Sequence, residues 1–218
     1  MKTFKVLGVL LGYPEEELIA ALGELEQVLE AEKLLPRGAR RAGDDLFAAL
    51  RGADLMTLQE RYVGLFDRVR SLSLHLFEHV HGESRDRGQA LVDLKKMYEA
   101  EMLVMNANEL PDYLPAFLEY LSLRPAAEAC GLLADSAHIL EALGARLRKR
   151  GSPYCAVFDA LVALSGEKPG ASVIDEDEIR REDDPATLDR LWQEAPAFGG
   201  KPAQNDVSVI RFHGRTAP

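Results

Sequence analysis

Apolar residues recur every three or four positions through most of residues 1–165, and this spacing is the feature that most constrains the fold. The clearest case is a stripe with glutamates on the opposite side, formed by Leu18, Ile19, Leu22, Leu25, Val28 and Leu29. Such stripes are typical of amphipathic helices that bury one face. No alternating segments indicate a sheet, and no internal repeat is visible. The sequence therefore predicts an all-α fold, with one helical-bundle domain over residues 1–165.

Proline, glycine and capping residues predict where these helices begin and end. Asp54 has the position of an N-cap for a helix that carries Tyr62, Leu65 and Phe66 on one side, which is more often a core face than a binding face. Further helices are predicted over 4–11, 14–35, 45–50, 84–104 and 153–165, and a helical region is predicted over 125–150. The helix over 84–104 is predicted to be buried through Leu91, Leu94, Met97, Tyr98 and Met102. Residues 67–83 are predicted to form an extended loop with a short turn.

The stretch from Asn108 to Pro115 holds two prolines near a predicted helix start. Pro111 presets its own φ angle and is predicted to open the helix. Asp112 would then lie in the first turn, where a carboxylate suits the positive end of the helix dipole. Two interpretations remain open: a well-capped amphipathic helix, or an acidic, aromatic-flanked corner that receives a partner.

The charge balance argues against several classes of partner. The formal net charge is −10 and the pI is about 5.1. An acidic surface argues against binding along a nucleic-acid backbone and against docking on anionic lipid, and it attracts basic partners. No apolar run approaches the length of a membrane span, so no direct membrane insertion is predicted.

Cysteine usage and the N-terminus indicate a compartment. Cys130 and Cys155 are the two cysteines and form no CxxC pair, which excludes a disulfide framework and fits a reducing cytoplasm. The apolar run over 6–11 is too short for a signal peptide, and Tyr13-Pro14 with three glutamates follows it instead of a cleavage site. A cytoplasmic protein is therefore predicted.

The composition changes after Gly166. Residues 166–218 hold 11 acidic and 7 basic residues, and the run over 175–184 is dense in charge. The sequence predicts an acidic linker and a mobile, partly disordered C-terminal tail over 166–218. A short amphipathic helix is predicted near 185–194, where Asp184 would cap it and where Leu188, Leu191 and Trp192 form its apolar side.

One short pattern has the form of a zinc-protease motif. His75-Leu76-Phe77-Glu78-His79 matches H-x-x-E-H, in which two histidines on one helical face hold zinc and the glutamate acts as base. The alternating serines before it and Gly82 after it argue against a stable helix, so a polar-aromatic loop packed on the bundle is the favoured interpretation. No phosphate-binding glycine loop, nucleophile elbow or cysteine–histidine motif is present. The residues therefore predict no catalytic site, no metal site and no cofactor.

Four motifs in this order and spacing carry a resemblance to a known family. They are Leu11-Gly12-Tyr13-Pro14, Tyr62–Phe66, Ser73–Ser84 with its histidines, and Glu109–Pro115. Over most of residues 4–165 the chain resembles the NarJ-type molybdenum-cofactor assembly chaperones of respiratory nitrate reductase, in the broader TorD/DmsD family of redox-enzyme maturation proteins. The histidine-bearing stretch points to the nitrate reductase branch, and the resemblance implies a TorD-like helical bundle.

The resemblance implies a system-specific chaperone and not an enzyme. Its partner would be the catalytic (alpha) subunit of nitrate reductase, bound at the N-terminal, leader-like segment before the molybdenum cofactor is inserted. Matched positions then nominate Tyr62, Leu65, Phe66 and Tyr113 for an apolar groove and Glu109, Asp112 and Glu119 for an acidic rim. Related chaperones have a histidine after the aspartate where this chain has Tyr113, so the role proposed for that pair transfers only to Asp112. A generic helical peptide-binding adaptor remains an alternative, as does a zinc hydrolase using His75, Glu78 and His79.

Overall fold

A computed structural model describes residues 1–80, 85–105 and 109–167, and within these ranges it contains nine α-helices and no β-strand. The helices are α1 Lys2–Leu10, α2 Glu16–Glu32, α3 Arg37–Arg51, α4 Leu55–Tyr62, α5 Arg85–Ala100, α6 Leu114–Ser122, α7 Ala126–Ala134, α8 Ala137–Lys149 and α9 Cys155–Ser165. The predicted all-α fold is confirmed. The predicted linker over 175–184 and helix over 185–194 lie outside the described residues. No helix within the described ranges is both long and apolar enough to cross a membrane.

The core is organised around α9, which packs against α8, α3 and α7. Its side chains from Ala156 to Leu164 are mostly buried, and Phe158 is fully buried. Gly144 lets α8 approach closely, since a Cβ atom there would lie 3.1 Å from the Cβ atom of Phe158. Burying a side chain as large as Phe158 contributes about 1.5–3 kcal/mol. The helix α9 therefore joins α3, α7 and α8 in one core.

A second packed pair is formed by α1 and α6. The terminal amine of Met1 donates to the carbonyl of Ser122 at 2.7 Å, which fixes α1 along α6. The start of α1 has no side-chain cap of its own, and Glu32 at the end of α2 supplies one. Its carboxylate accepts from the backbone N–H groups of Lys2 and Thr3, each at 2.8 Å. These bonds connect the end of α2 to the start of α1. The bond between Met1 and Ser122 connects the start of α1 to the end of α6.

The predicted N-cap at Asp54 is confirmed, whereas two other predicted helical segments have different bounds. The Asp54 carboxylate accepts from the backbone N–H of Thr57 at 3.0 Å. The predicted helix over 45–50 is longer and begins at Arg37. The helical region predicted over 125–150 contains two helices, α7 and α8, which are separated at residues 135–136.

Two predictions about the ends of helices are wrong. Pro111 and Asp112 do not open a helix, because residues 111–113 are paired with a neighbouring loop and α6 begins at Leu114. Met102 is not buried in α5: the helix ends at Ala100, and Met102 is 90% exposed with a φ of 58°. The predicted loop over 67–83 is described as far as residue 80, where it follows the π-helical turn that ends at Asp67 and contains two 3-10 turns, Arg70–Leu72 and Leu76–His79.

Candidate functional site

The segment before α6 is held by a short, strand-like pairing with the histidine-bearing loop. The backbone N–H of Leu76 donates to the carbonyl of Asp112 at 3.0 Å, and that of Leu114 donates to the carbonyl of Leu74 at 2.8 Å. These bonds place His75 opposite Tyr113 in an antiparallel bridge. Two segments that are far apart in the sequence therefore form one wall of the site.

Asp112 is the polar centre of this wall and its side chain is 0% exposed. One carboxylate oxygen accepts from the backbone N–H of Phe77 at 3.1 Å, and the other lies 3.3 Å from Nδ1 of His75. Buried carboxylates need such partners, because an unpaired charge in the interior is costly. The expectation that Asp112 lies on an exposed rim is wrong. Its carboxylate is buried and holds His75 and Phe77 of the neighbouring loop in place.

The two histidines of the loop have opposite environments. The hydrogen bond with Asp112 raises the pKa of His75, against the opposing effect of burial. Burial lowers the pKa of His79, whose Nε2 lies 2.8 Å from the carbonyl oxygen of Ser73. Both rings are therefore engaged by groups of the protein itself.

These shifts predict a pH dependence with opposite signs. His75 binds its proton more tightly in the folded chain, so the stability it contributes is full below its unfolded pKa and is lost as the pH rises through its raised folded pKa. His79 contributes stability above its unfolded pKa, and this is lost as the pH falls through its lowered folded pKa. In a two-dimensional NMR titration, we expect the midpoint of His75 above the ordinary value of 6.5 and that of His79 below it. The reverse order would contradict the pairing of His75 with Asp112.

An aromatic cluster forms the floor beside this wall. The Tyr62 hydroxyl donates to the carbonyl of Leu11 at 2.8 Å, which ties α4 to the loop after α1. The Tyr62 and Tyr13 rings form a T-shaped pair with centroids 5.6 Å apart, and Tyr62 packs on Phe66 at 4.9 Å between centroids. Phe66 in turn meets Tyr154, 5.2 Å away between centroids. A π-helical turn over Val63–Asp67 sets this spacing, and such turns are frequent at functional sites.

Between the wall and the floor lies an open cleft of about 660 Å³. Four aromatic side chains line it, namely Tyr13, Tyr62, Phe66 and Tyr113. Its charged lining residues are Asp67, Glu78 and Glu109 together with Arg68, Arg70 and Arg87. Arg87 reaches Glu78 at 3.3 Å and so connects α5 to the cleft. The rim therefore carries both charges, whereas the sequence predicted an acidic one.

The structure brings together four of the seven residues nominated from the sequence. Tyr62, Phe66, Glu109 and Tyr113 line the cleft. Leu65 is half-buried against the core and is not among the lining residues. Glu119 lies on α6 and pairs with Lys5 at 3.0 Å. It lines a neighbouring groove along α1 and α6, which shares Glu109 and Tyr113 with the cleft.

The sequence nominations missed Tyr13, His75 and the cleft arginines. Tyr13 belongs to one of the motifs that carry the family resemblance, and this was a usable signal. Arg68, Arg70 and Arg87 belong to no motif, because their approach to the cleft is produced by the fold.

The zinc-hydrolase alternative loses its geometric basis. His75 is extended and the residues after it form a 3-10 turn, so the α-helical spacing that would place His75 and His79 on one face is not formed. Across residues 1–80, 85–105 and 109–167, no group of three or more histidine, cysteine, aspartate or glutamate side chains is arranged to hold a metal ion.

The fold and the site together define an all-helical protein with an open cleft whose floor is formed by aromatic side chains. A sequence model of the nitrate reductase delta subunit family matches residues 15–160. The chain is 40% identical over 223 residues to the nitrate reductase molybdenum cofactor assembly chaperone NarJ of Escherichia coli (strain K12), with 98% of this chain and 93% of that protein covered. The chain therefore belongs to the nitrate reductase delta subunit family, which confirms the resemblance.

Two further relatives have names of the same kind. The chain is 42% identical over 196 residues to the probable nitrate reductase molybdenum cofactor assembly chaperone NarW of Escherichia coli (strain K12), with 89% of this chain and 82% of that protein covered. It is 30% identical over 161 residues to the probable NarJ assembly chaperone of Bacillus subtilis (strain 168), with 74% of this chain and 86% of that protein covered. These relatives are named as assembly chaperones and not as catalysts.

Proposed function

We propose that this protein is a system-specific chaperone for the catalytic subunit of respiratory nitrate reductase. It would bind the N-terminal, leader-like segment of that subunit in the cytoplasm and keep the apoenzyme competent for molybdenum cofactor insertion. It performs no reaction of its own in this proposal. Family membership and the printed names of the relatives support the choice of partner.

The observation that carries the binding mode is the aromatic floor of the cleft. Tyr13 is 45% exposed there, beside buried Tyr62 and Phe66. Aromatic side chains give a large contact area at low entropic cost, and tyrosine adds a hydroxyl for hydrogen bonding. An apolar anchor of the leader would pack on this floor, in the manner of a helix bound in a groove.

The charges around the cleft would orient the leader. Asp67 and Glu109 are exposed and would meet its basic residues, while Arg68 and Arg70 would meet acidic or backbone carbonyl groups. Exposed charges mainly affect the rate and direction of encounter, and salt screens them. Raised salt should therefore weaken binding modestly, while the apolar contacts persist.

The test is calorimetric titration of the full chain with a synthetic peptide of its host's nitrate reductase catalytic-subunit N-terminus. We expect saturable binding that weakens in high salt. Tyr13→Ala should lower the affinity for the peptide about 5- to 30-fold, the usual cost of truncating an aromatic contact in an interface. Leu123→Ala is the matched control, because this side chain is 59% exposed and lines none of the grooves described here. It should bind as the unmodified protein does.

The outcomes separate the remaining alternatives. Equal binding of a scrambled peptide would favour a generic helical adaptor over a dedicated chaperone. Equal affinity of Tyr13→Ala and the unmodified protein would remove the cleft as the site. No binding at either salt concentration would remove leader recognition and leave contacts with the folded catalytic subunit as the mechanism.

A further inference from the structure

A second groove lies away from the cleft, where α2, α3 and α9 meet, and encloses about 680 Å³. Its floor is apolar and includes Leu10, Leu29, Leu35, Phe47 and Val157. The groove opens because α3 packs mainly on α9 and touches α2 at few positions. Neither the motifs of the sequence nor the proposed function accounts for it.

The rim of this groove is rich in arginine. Arg37, Arg40 and Arg41 line it from the first turns of α3. That helix has no acidic residue in its first turn and no side-chain cap, so three cations lie at the positive end of its dipole. No ion pair of these arginines is formed within the described part of the chain.

The carboxylates nearby do not balance these cations. Glu26 also lines the groove, but it is held by Arg51 in a two-bond ion pair. Glu30 and Asp44 remain, which leaves an excess of positive charge on the rim. The groove therefore fits a segment that combines carboxylates with apolar side chains.

We propose that residues 182–192 of the same chain dock in this groove. Glu182, Asp183 and Asp184 would face the arginines, and an apolar set from the same segment would cover the floor. That apolar set consists of Leu188, Leu191 and Trp192. The order of the segment, acidic first and apolar second, matches a groove with a charged rim and an apolar floor.

The chain leaves the described structure at a point from which the groove is within reach. The helix α9 lines the groove at Ala156 and Ala160 and ends at Ser165, about 8 Å further along its axis. Gly166, with φ of 75°, then turns the chain out of the helical direction. The residues between Glu167 and Glu182 can span up to about 50 Å when extended.

Trp192 is the only tryptophan of the chain and so reports directly on this segment. The experiment measures its emission maximum and its quenching by acrylamide in the full chain. Arg37→Glu, Arg40→Glu and Arg41→Glu are introduced together; glutamate at a helix start favours the helix, so α3 should still form, and circular dichroism checks this. We expect a red-shifted emission and an acrylamide quenching constant raised about threefold, because the docked population is lost.

A matched control reverses three exposed charges elsewhere: Arg61→Glu, Lys95→Glu and Lys96→Glu. The Trp192 signal should not change in that variant. Charge reversal in the segment, with Glu182, Asp183 and Asp184 changed to arginine, should expose Trp192 as well. When the charge-reversed segment is combined with the α3 variant, Trp192 should again be protected from acrylamide. Such a restoration distinguishes a specific contact from a general loss of structure.

Three results would overturn the inference. The first is equal quenching of Trp192 in the unmodified protein and in the α3 variant. The second is a loss of Trp192 protection only in Arg148→Glu, at the basic end of α8. The third is a dependence of that protection on protein concentration, which would place the segment on a second copy. The inference does not rest on the proposed function, because neither the peptide nor the cleft enters the measurement.

Discussion

Replacing Asp112 with alanine is expected to lower the free energy of unfolding by about 2–4 kcal/mol. The substitution removes the acceptor for the buried N–H of Phe77 and the partner of His75 at once. A buried donor without an acceptor keeps the full cost of its lost hydration, and the cavity left by the carboxylate adds to it. Urea unfolding at neutral pH, followed by circular dichroism, measures the loss.

Two further variants make this result specific. Glu109→Ala removes an exposed carboxylate three residues away and should change stability by no more than about 0.5 kcal/mol. Asp112→Asn keeps an acceptor for Phe77 but loses the charge that raises the pKa of His75, so the NMR titration midpoint of His75 should fall. If Asp112→Ala unfolds at the same urea concentration as the unmodified protein, the carboxylate is not the support of this wall.

The helices were predictable where their determinants are local. Asp54 caps α4 through a residue three positions away, and the stripe on α2 lies within one helix. Such features depend on neighbours in the sequence and survive in almost any packing arrangement. The all-α class followed from them.

The start of α6 was not predictable, because distant residues decide it. Pro111 and Asp112 fit a helix start by local rules, but their carbonyl and side-chain groups are used elsewhere. The Pro111 carbonyl accepts from the Tyr98 hydroxyl at 2.8 Å, and the Asp112 carbonyl accepts from Leu76. These long-range bonds outweigh the local preference and move the helix start to Leu114.

The parts of the cleft also differ in whether local sequence or long-range contacts determine them. Tyr62 and Phe66 were nominated from a helical spacing and a family motif, and both lie on its floor. The pairing of His75 with Asp112 joins residues 37 positions apart, and no sequence pattern indicates it. Arg87 reaches the site only because α5 passes beside the loop that holds Glu78.

Replacing Gly8 with valine is expected to destabilise the protein by about 1–3 kcal/mol, because the contact between α1 and α6 has no room for a side chain. A Cβ atom at this position would lie 3.1 Å from the carbonyl oxygen of Pro115 and 3.3 Å from the Cβ atom of Leu118. The first of these is backbone in the first turn of α6, so it cannot rotate away. The two helices must separate, and this gives up part of the apolar contact that they bury.

The effect should also reach the cleft. Pro115 follows Tyr113 and Leu114 directly, and Leu114 is bonded to the histidine-bearing loop. A shift of α6 away from α1 therefore moves Tyr113 and loosens the wall. We expect Gly8→Val to weaken leader-peptide binding in calorimetry under conditions in which the variant is still folded.

Gly23→Val is the matched control, since it makes the same substitution in an exposed part of α2. No atom lies within 4 Å of a Cβ built at Gly23. Glycine and valine are both weak helix formers, and valine is slightly the better, so stability should change by no more than about 0.5 kcal/mol. Equal losses of stability for Gly8→Val and Gly23→Val in urea unfolding would show that the close approach of α1 to α6 does not govern the result. A loss confined to Gly8→Val, together with weaker peptide binding, would show that the α1–α6 contact supports the cleft wall.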